Sequence, residues 1–206
     1  MGHHQGDVRQ HILDTGKAIM LGKGFTAVGL TEVLGAAGVP KGSFYYYFES
    51  KEQFGEALLE DYFSGYLRAL EVRLAADGRP ARDRLLGYFR HWQATHEQGP
   101  CQGQCLVVKL GGEVSDLSEA MRSALHRGTA GILARLGACL AEGVADGSIP
   151  AAAPGATAEA LYGLWLGASL LTKVRRDASA LATAMTVTEN LLGPAGPSPF
   201  LPGATP

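Results

Sequence analysis

Cysteine is scarce in this chain of 206 residues, which holds only Cys101, Cys105 and Cys139. An odd number, without a basic segment and apolar run after Met1, excludes a disulfide scaffold and predicts free thiols in a reducing compartment, the cytoplasm. Long hydrophobic runs are missing too, and nothing approaches the ~18–20 apolar residues of a membrane-spanning helix. Neither sign of charge dominates. With 18 Lys and Arg against 20 Asp and Glu, the net charge is −2, which does not announce a nucleic-acid partner. Residues 1–51 hold five bases and four acids against 13 and 16 in the remainder, an asymmetry too mild to decide anything. No Ser-His-Asp ordering, phosphate-cradling loop or internal repeat occurs, so neither an enzyme nor a cofactor is expected. The remaining profile, 46% apolar and 18% charged, is that of a soluble globular protein long enough to bury a substantial core.

Glycine and proline divide the chain into helical segments. Val8, Ile12, Leu13, Ile19, Met20 and Leu21 recur at helical spacing until Gly22 and Gly24 end the pattern. A short second helix fits from Leu30 to Gly38, and Pro40, with its fixed φ, favours entry into a third. Apolar positions 54, 58, 62 and 66 form one stripe of a longer helix from Lys51 to about Ala75. Further helices are expected over Ala81 to Glu97, Cys105 to Glu113, Leu117 to Asp146, Ala156 to Arg175 and Ala178 to Leu192. Residues 193–206 hold five prolines and three glycines and read as a disordered tail. The expected fold class is therefore all-α.

The run Phe44-Tyr45-Tyr46-Tyr47-Phe48 is the most informative stretch. Its composition alone favours a strand, but no second strand pattern lies nearby and helical patterns flank it. As a helix it puts Phe44 and Phe48 on one face and turns Tyr45 and Tyr46 away, since successive residues rotate by ~100°. Two short helices joined by a tight glycine-containing turn make a helix-turn-helix, whose second helix is built to enter the DNA major groove. A groove reader needs a polar and aromatic outer face, free backbone N–H groups for phosphate and an apolar inner face. Lys41, Gly42, Ser43, Tyr45 and Tyr46 supply the outer face, and Lys51 adds a cation for phosphate. Phe25, Val33, Phe44 and Phe48 are expected in the core.

The sequence from Gly24-Phe25-Thr26-Ala27 through Gly38-Val39-Pro40-Lys41-Gly42-Ser43 to Tyr47-Phe48-Glu49-Ser50-Lys51-Glu52 resembles the N-terminal domain of TetR-family transcriptional regulators, over roughly residues 8–55. That resemblance implies a three-helix DNA-binding domain over 1–50, a fourth helix leading to a helical effector-binding and dimerisation domain over 51–192, and a homodimer whose effector weakens DNA binding. It further implies that Thr31, Lys41, Ser43, Tyr45, Tyr46, Tyr47 and Lys51 approach DNA and that Gly38 is the turn glycine. Tyr47 departs from the histidine common there, although a phenol still donates to phosphate.

In the second half, a Gly/Pro loop delivers Cys105 to the start of an apolar helix. The positive end of that helix dipole, with Lys109 four residues on, is expected to favour thiolate and raise reactivity. The stretch also resembles a TetR subgroup with sensors of electrophiles and oxidants, in which a cysteine at this position recurs. A buried structural thiol remains the alternative. Cys101 and Cys105 with His91, His96 or His126 offer thiolate and imidazole to Zn²⁺ or Cu(I), but C-x₃-C alone does not specify a site and no metal is expected. Tyr62, Tyr66, Tyr88, Phe89, Trp92, Leu110, Tyr162 and Trp165 are candidates to line an apolar effector cavity, or else core. The helix around Ala158–Leu171 is apolar almost all round, and with Ala178 to Leu192 it predicts a pair meeting its two-fold mate in a four-helix bundle. The chain thus reads as a repressor released from its operator by a small molecule or by modification of Cys105. The alternative is a thiol-dependent enzyme or small-molecule binding protein carrying a helix-turn-helix head.

Overall fold

The computed structural model describes residues 5–97, 105–150 and 153–194. Among these, nine helices and no strand occur: α1 Gln5–Lys23, α2 Leu30–Ala37, α3 Lys41–Tyr47, α4 Lys51–Leu74, α5 Ala81–Glu97, α6 Leu106–Leu117, α7 Glu119–Ala145, α8 Pro154–Arg175 and α9 Ser179–Leu191. The expected tail lies outside the described residues from 195 onward. So does Cys101.

The chain divides into two compact units, Met1–Leu67 with Gly99–Ala130, and Arg68–Gln98 with Gly131–Pro206. In the first, α1, α2 and α3 pack on one another. Ile12, Leu13, Met20, Phe25, Val28, Val33, Phe44, Phe48 and Phe54 bury its apolar side. Local chemistry sets the ends of these short helices. Gly38 takes the left-handed conformation, φ 64°, and the Gly38 and Val39 N–H groups close back on the Gly35 and Leu34 carbonyls at 3.3 and 3.2 Å. This reciprocal pair satisfies the last carbonyls of α2 and turns the chain toward α3. Pro40, φ −70°, stands at the N-cap of α3. At the start of α4 the Ser50 hydroxyl accepts the Gln53 N–H at 3.0 Å, and the Gln53 side chain reaches back to the Glu49 N–H, a variant of the capping box.

In the second unit α9 packs against α5 and α8. Its core is aromatic. Phe89 stacks on Trp165 at 5.0 Å between centroids, and Trp92 meets Trp165, Tyr162 and Tyr88 at 5.8 to 5.9 Å. Both buried indoles find acceptors, as wide amphipathic rings must. Trp92 donates to the Ser169 hydroxyl at 3.0 Å and Trp165 to the Thr188 hydroxyl at 2.9 Å. Arg84 is buried too, donating to the Leu74 carbonyl and the Glu142 carboxylate.

Candidate nucleic-acid interface

The aromatic run folds as helix, and its rings divide as a 100° rotation dictates. Phe44 and Phe48 are 0% and 2% exposed and pack against Phe54, with centroids at 5.5 and 5.1 Å. Tyr45 and Tyr46 are 51% and 68% exposed. Both rings therefore stand on the side of α3 opposite its buried face. The Lys41 ammonium lies 5.7 Å from the Tyr45 ring centroid, and Tyr46 meets Tyr47 edge to face at 4.9 Å. Thr31, Lys41 and Gly42 are exposed, whereas Ser43, Tyr47 and Lys51 are half-buried. Phe25 and Val33 are buried.

Lys51, expected as a cation for phosphate, also bonds within its own unit. Its Nζ donates to the Phe25 carbonyl at 2.9 Å and lies 4.5 Å from the Phe25 ring centroid. Two of the three ammonium donors remain for other acceptors. Arg9, which sequence reasoning passed over, sits above the Phe48 ring at 5.3 Å, and only its position in the first turns of α1 could have suggested it.

The effector candidates gather in two places. In the first unit Cys105 occupies the N-cap of α6, half-buried, and the Tyr62 hydroxyl donates to its sulfur at 3.8 Å. Tyr62 and Tyr66 have centroids 5.9 Å apart on α4, and Leu110 is fully buried on α6. In the second unit Tyr88, Phe89, Trp92, Tyr162 and Trp165 form the buried aromatic core already described. His96 accompanies them, its Nδ1 3.0 Å from the Trp92 carbonyl, while His91 and His126 are exposed. Among the described residues no three His, Cys, Asp or Glu side chains gather as a metal site. Nor is any helix there long and apolar enough to cross a membrane.

The expectation of an activated thiolate at Cys105 is corrected by its surroundings. Burial pushes the thiol above its ordinary value, and bonds from the Val108 backbone, Tyr62 and the Val107 backbone offset this only in part. Lys109 does not face the sulfur; its Nζ donates to the Gly22 carbonyl at the end of α1, 2.9 Å away. Cys139 is more strongly affected, its thiol pushed by burial to about 11. One turn past Lys109, Glu113 accepts the backbone N–H groups of Phe25 and Thr26 at 3.1 and 2.6 Å. Sequence reasoning missed both partners, although Cys105, Lys109 and Glu113 fall four apart on one flank of the helix.

Comparison with known proteins identifies the family of both parts of the chain. Residues 12–58 match the family model for bacterial regulatory proteins of the tetR family, and residues 81–188 match that for the tetracyclin repressor-like C-terminal domain. The chain is 41% identical over 191 residues to the HTH-type transcriptional repressor NemR of Escherichia coli (strain K12), covering 92% of this chain and 96% of that protein. It is 36% identical over 188 residues to the HTH-type transcriptional repressor DhaR of Mycobacterium sp. (strain GP1), covering 91% and 93%. The crystal structure of the reduced form of E. coli NemR superposes with a TM-score of 0.87 at 42% identity, covering 91% of this chain and 97% of that one.

Proposed function

Since the chain belongs to the TetR family of transcriptional regulators, we propose that it is a cytoplasmic homodimeric repressor, released from its operator by a small molecule or by modification of Cys105. One observation carries the DNA-reading half: α3 buries Phe44 and Phe48 while holding Tyr45 and Tyr46 in solvent. Residues 1–50 are the reading head, with Thr31, Lys41, Gly42, Ser43, Tyr45, Tyr46 and Tyr47 toward DNA. Lys51 offers phosphate the donors it does not spend on Phe25.

Residues 51–192 bind the effector and dimerise. On α8, Gly163, Gly167, Leu170, Leu171 and Val174 are all exposed on one side, with Val174 at 71%. On α9, Val187 and Leu191 are exposed one turn apart. This amount of uncovered apolar surface on two neighbouring helices supports a four-helix contact with a second copy. Two heads so joined can span two half-sites of a two-fold operator.

Cys105 supports the sensing half by its place at a helix start under the Tyr62 hydroxyl. An α,β-unsaturated carbonyl would form a carbon–sulfur bond there, the proton passing to its neighbouring carbon with no group leaving. Release requires that the adduct or ligand favour a head spacing that mismatches the operator, because only differential affinity shifts an equilibrium.

The test is binding to the DNA upstream of the protein's own gene, titrated with salt, before and after iodoacetamide, for wild type, Cys105→Ser and Lys41→Ala. Expected are tight binding, loss on alkylation in the wild type but not in Cys105→Ser, and a salt slope about two smaller in Lys41→Ala. The last figure takes ~0.9 per phosphate contact and two copies. Binding indifferent to alkylation sinks the thiol route and turns the search to apolar ligands. Absence of specific binding sinks the regulator itself.

A further inference from the structure

We infer that Lys109 and Glu113 are positioning residues which fasten the DNA-reading head to α6, so that the segment entering α2 follows any displacement of the start of that helix. This rests on the regulator function proposed above and assigns the route by which its head is moved.

The two side chains grip adjacent stretches with opposite chemistry. Lys109 Nζ bonds the Gly22 carbonyl in the last turn of α1, where the helix leaves acceptors without partners and where positive charge is favoured. The Glu113 carboxylate takes the Phe25 and Thr26 N–H groups, two donors of the connection to α2. A charged partner makes each of these bonds stronger than its neutral counterpart. Between the two grips, Gly24 adopts φ 92°, and a Cβ there would lie 3.0 Å from Glu113 Oε2, so the carboxylate rests directly against the backbone. Phe25 is held from its other side as well, its carbonyl accepting Lys51 Nζ at 2.9 Å. Partial burial of Glu113 works against ionisation, but the bonds from Thr26 and Phe25 and the charge of Lys109 outweigh it and keep the carboxyl below its usual value.

The same helix carries Cys105 at its N-cap. Lys109 and Glu113 follow at one and two turns on the same flank, Glu113 roughly 12 Å along the axis at 1.5 Å per residue. Leu106, Leu110 and Val114 bury the adjoining stripe completely. A packed helix of this kind moves as a body, because close-packed cores do not deform continuously. A substituent on the half-buried sulfur, 3.8 Å from the Tyr62 hydroxyl, displaces the start of that body. The two grips deliver the displacement to residues 22–26.

The experiment is amide hydrogen exchange over Gly22–Val28 in the full-length protein, before and after Cys105 is alkylated with iodoacetamide, which forms a carbon–sulfur bond, expels iodide and releases the thiol proton. Wild type is compared with Lys109→Met/Glu113→Gln, and Cys105→Ser controls for the other cysteines. In the wild type, alkylation should speed exchange at Phe25 and Thr26 at least tenfold. In the double variant, exchange there should already be fast and unmoved by alkylation. If the double variant does not fold, Glu113→Gln alone, which keeps one acceptor oxygen, should give an intermediate response. Unchanged exchange in the alkylated wild type, or an equal change in the variants, overturns the assignment. DNA affinity of the same samples separates the two failures. Wild type that binds no operator refutes the regulator, whereas operator release with unchanged exchange at 25 and 26 refutes only the clasp.

Discussion

Thr188 on α9 is fully buried, and its hydroxyl sits between two groups, accepting the Trp165 indole N–H at 2.9 Å and donating to the Ala184 carbonyl at 2.7 Å. Thr188→Val keeps the volume and removes both bonds. The Ala184 carbonyl retains its helical partner, but the indole N–H is left in a dry core at about 1–3 kcal/mol. Thr188→Ser keeps both bonds and loses one methyl, about 1 kcal/mol. At roughly 2–4 °C per kcal/mol for a chain of this size, the valine variant should melt about 2–12 °C lower and the serine variant about 2–4 °C lower. Melting is compared at one protein concentration, because dimerisation shifts Tm by mass action. The chain has two tryptophans, so the indole region of a proton–nitrogen spectrum holds two signals. The Trp165 signal should move in the valine variant and stay in the serine variant. A valine variant as stable as wild type would refute the claim that this bond matters.

The remaining predictions concern the head, the thiol and the clasp. Phe44→Ala should cost about 3–5 kcal/mol and unfold the head, because a fully buried ring leaves a cavity against Phe48 and Phe54, whereas Tyr46→Ala should leave the melting curve in place and weaken operator binding; equal effects on melting would contradict the division of the helix. Because burial raises the Cys105 thiol, its alkylation rate should climb about tenfold per pH unit between pH 6.5 and 8.5 without a plateau, followed by mass spectrometry. A plateau below pH 8 would mean an activated thiolate. The Glu113 carboxyl is depressed in the folded state, so its contribution to stability is whole above the unfolded value of about 4.3 and is lost as pH falls through the lower folded value. The stability gap between wild type and Glu113→Gln, measured by urea unfolding, should therefore be constant from pH 7 to 5 and close below that.

Much of the architecture was legible because its causes are local. The helical reading of the aromatic run came from its neighbours, and the division of its rings follows from rotation per residue alone. Gly38 announced the turn because a left-handed residue is needed where α2 stops. Helix α6 outruns the expected end at Glu113 and reaches Leu117, because Val114, four residues after Leu110, continues its buried stripe. The state of Cys105 was not legible. Its position in sequence promises a dipole, but only the packing around it decides that burial prevails. The partners of Glu113 lie 87 and 88 residues away, and those of the two indoles 77 and 23, distances over which no local period carries information.

The compact unit that contains the reading head is assembled from two separate stretches of chain, and its second stretch brings Lys109 and Glu113 to the turn before α2. Regulators of this kind invite transplantation, a new head being spliced onto an old sensor to rewire which genes answer to which signal. A splice near residue 50 divides what folding has joined, for the incoming head meets a lysine and a glutamate selected against a different backbone. Successful chimeras should therefore inherit positions 109 and 113 from the donor of the head and Cys105 from the donor of the sensor, which makes the first two turns of α6 a stretch of mixed parentage.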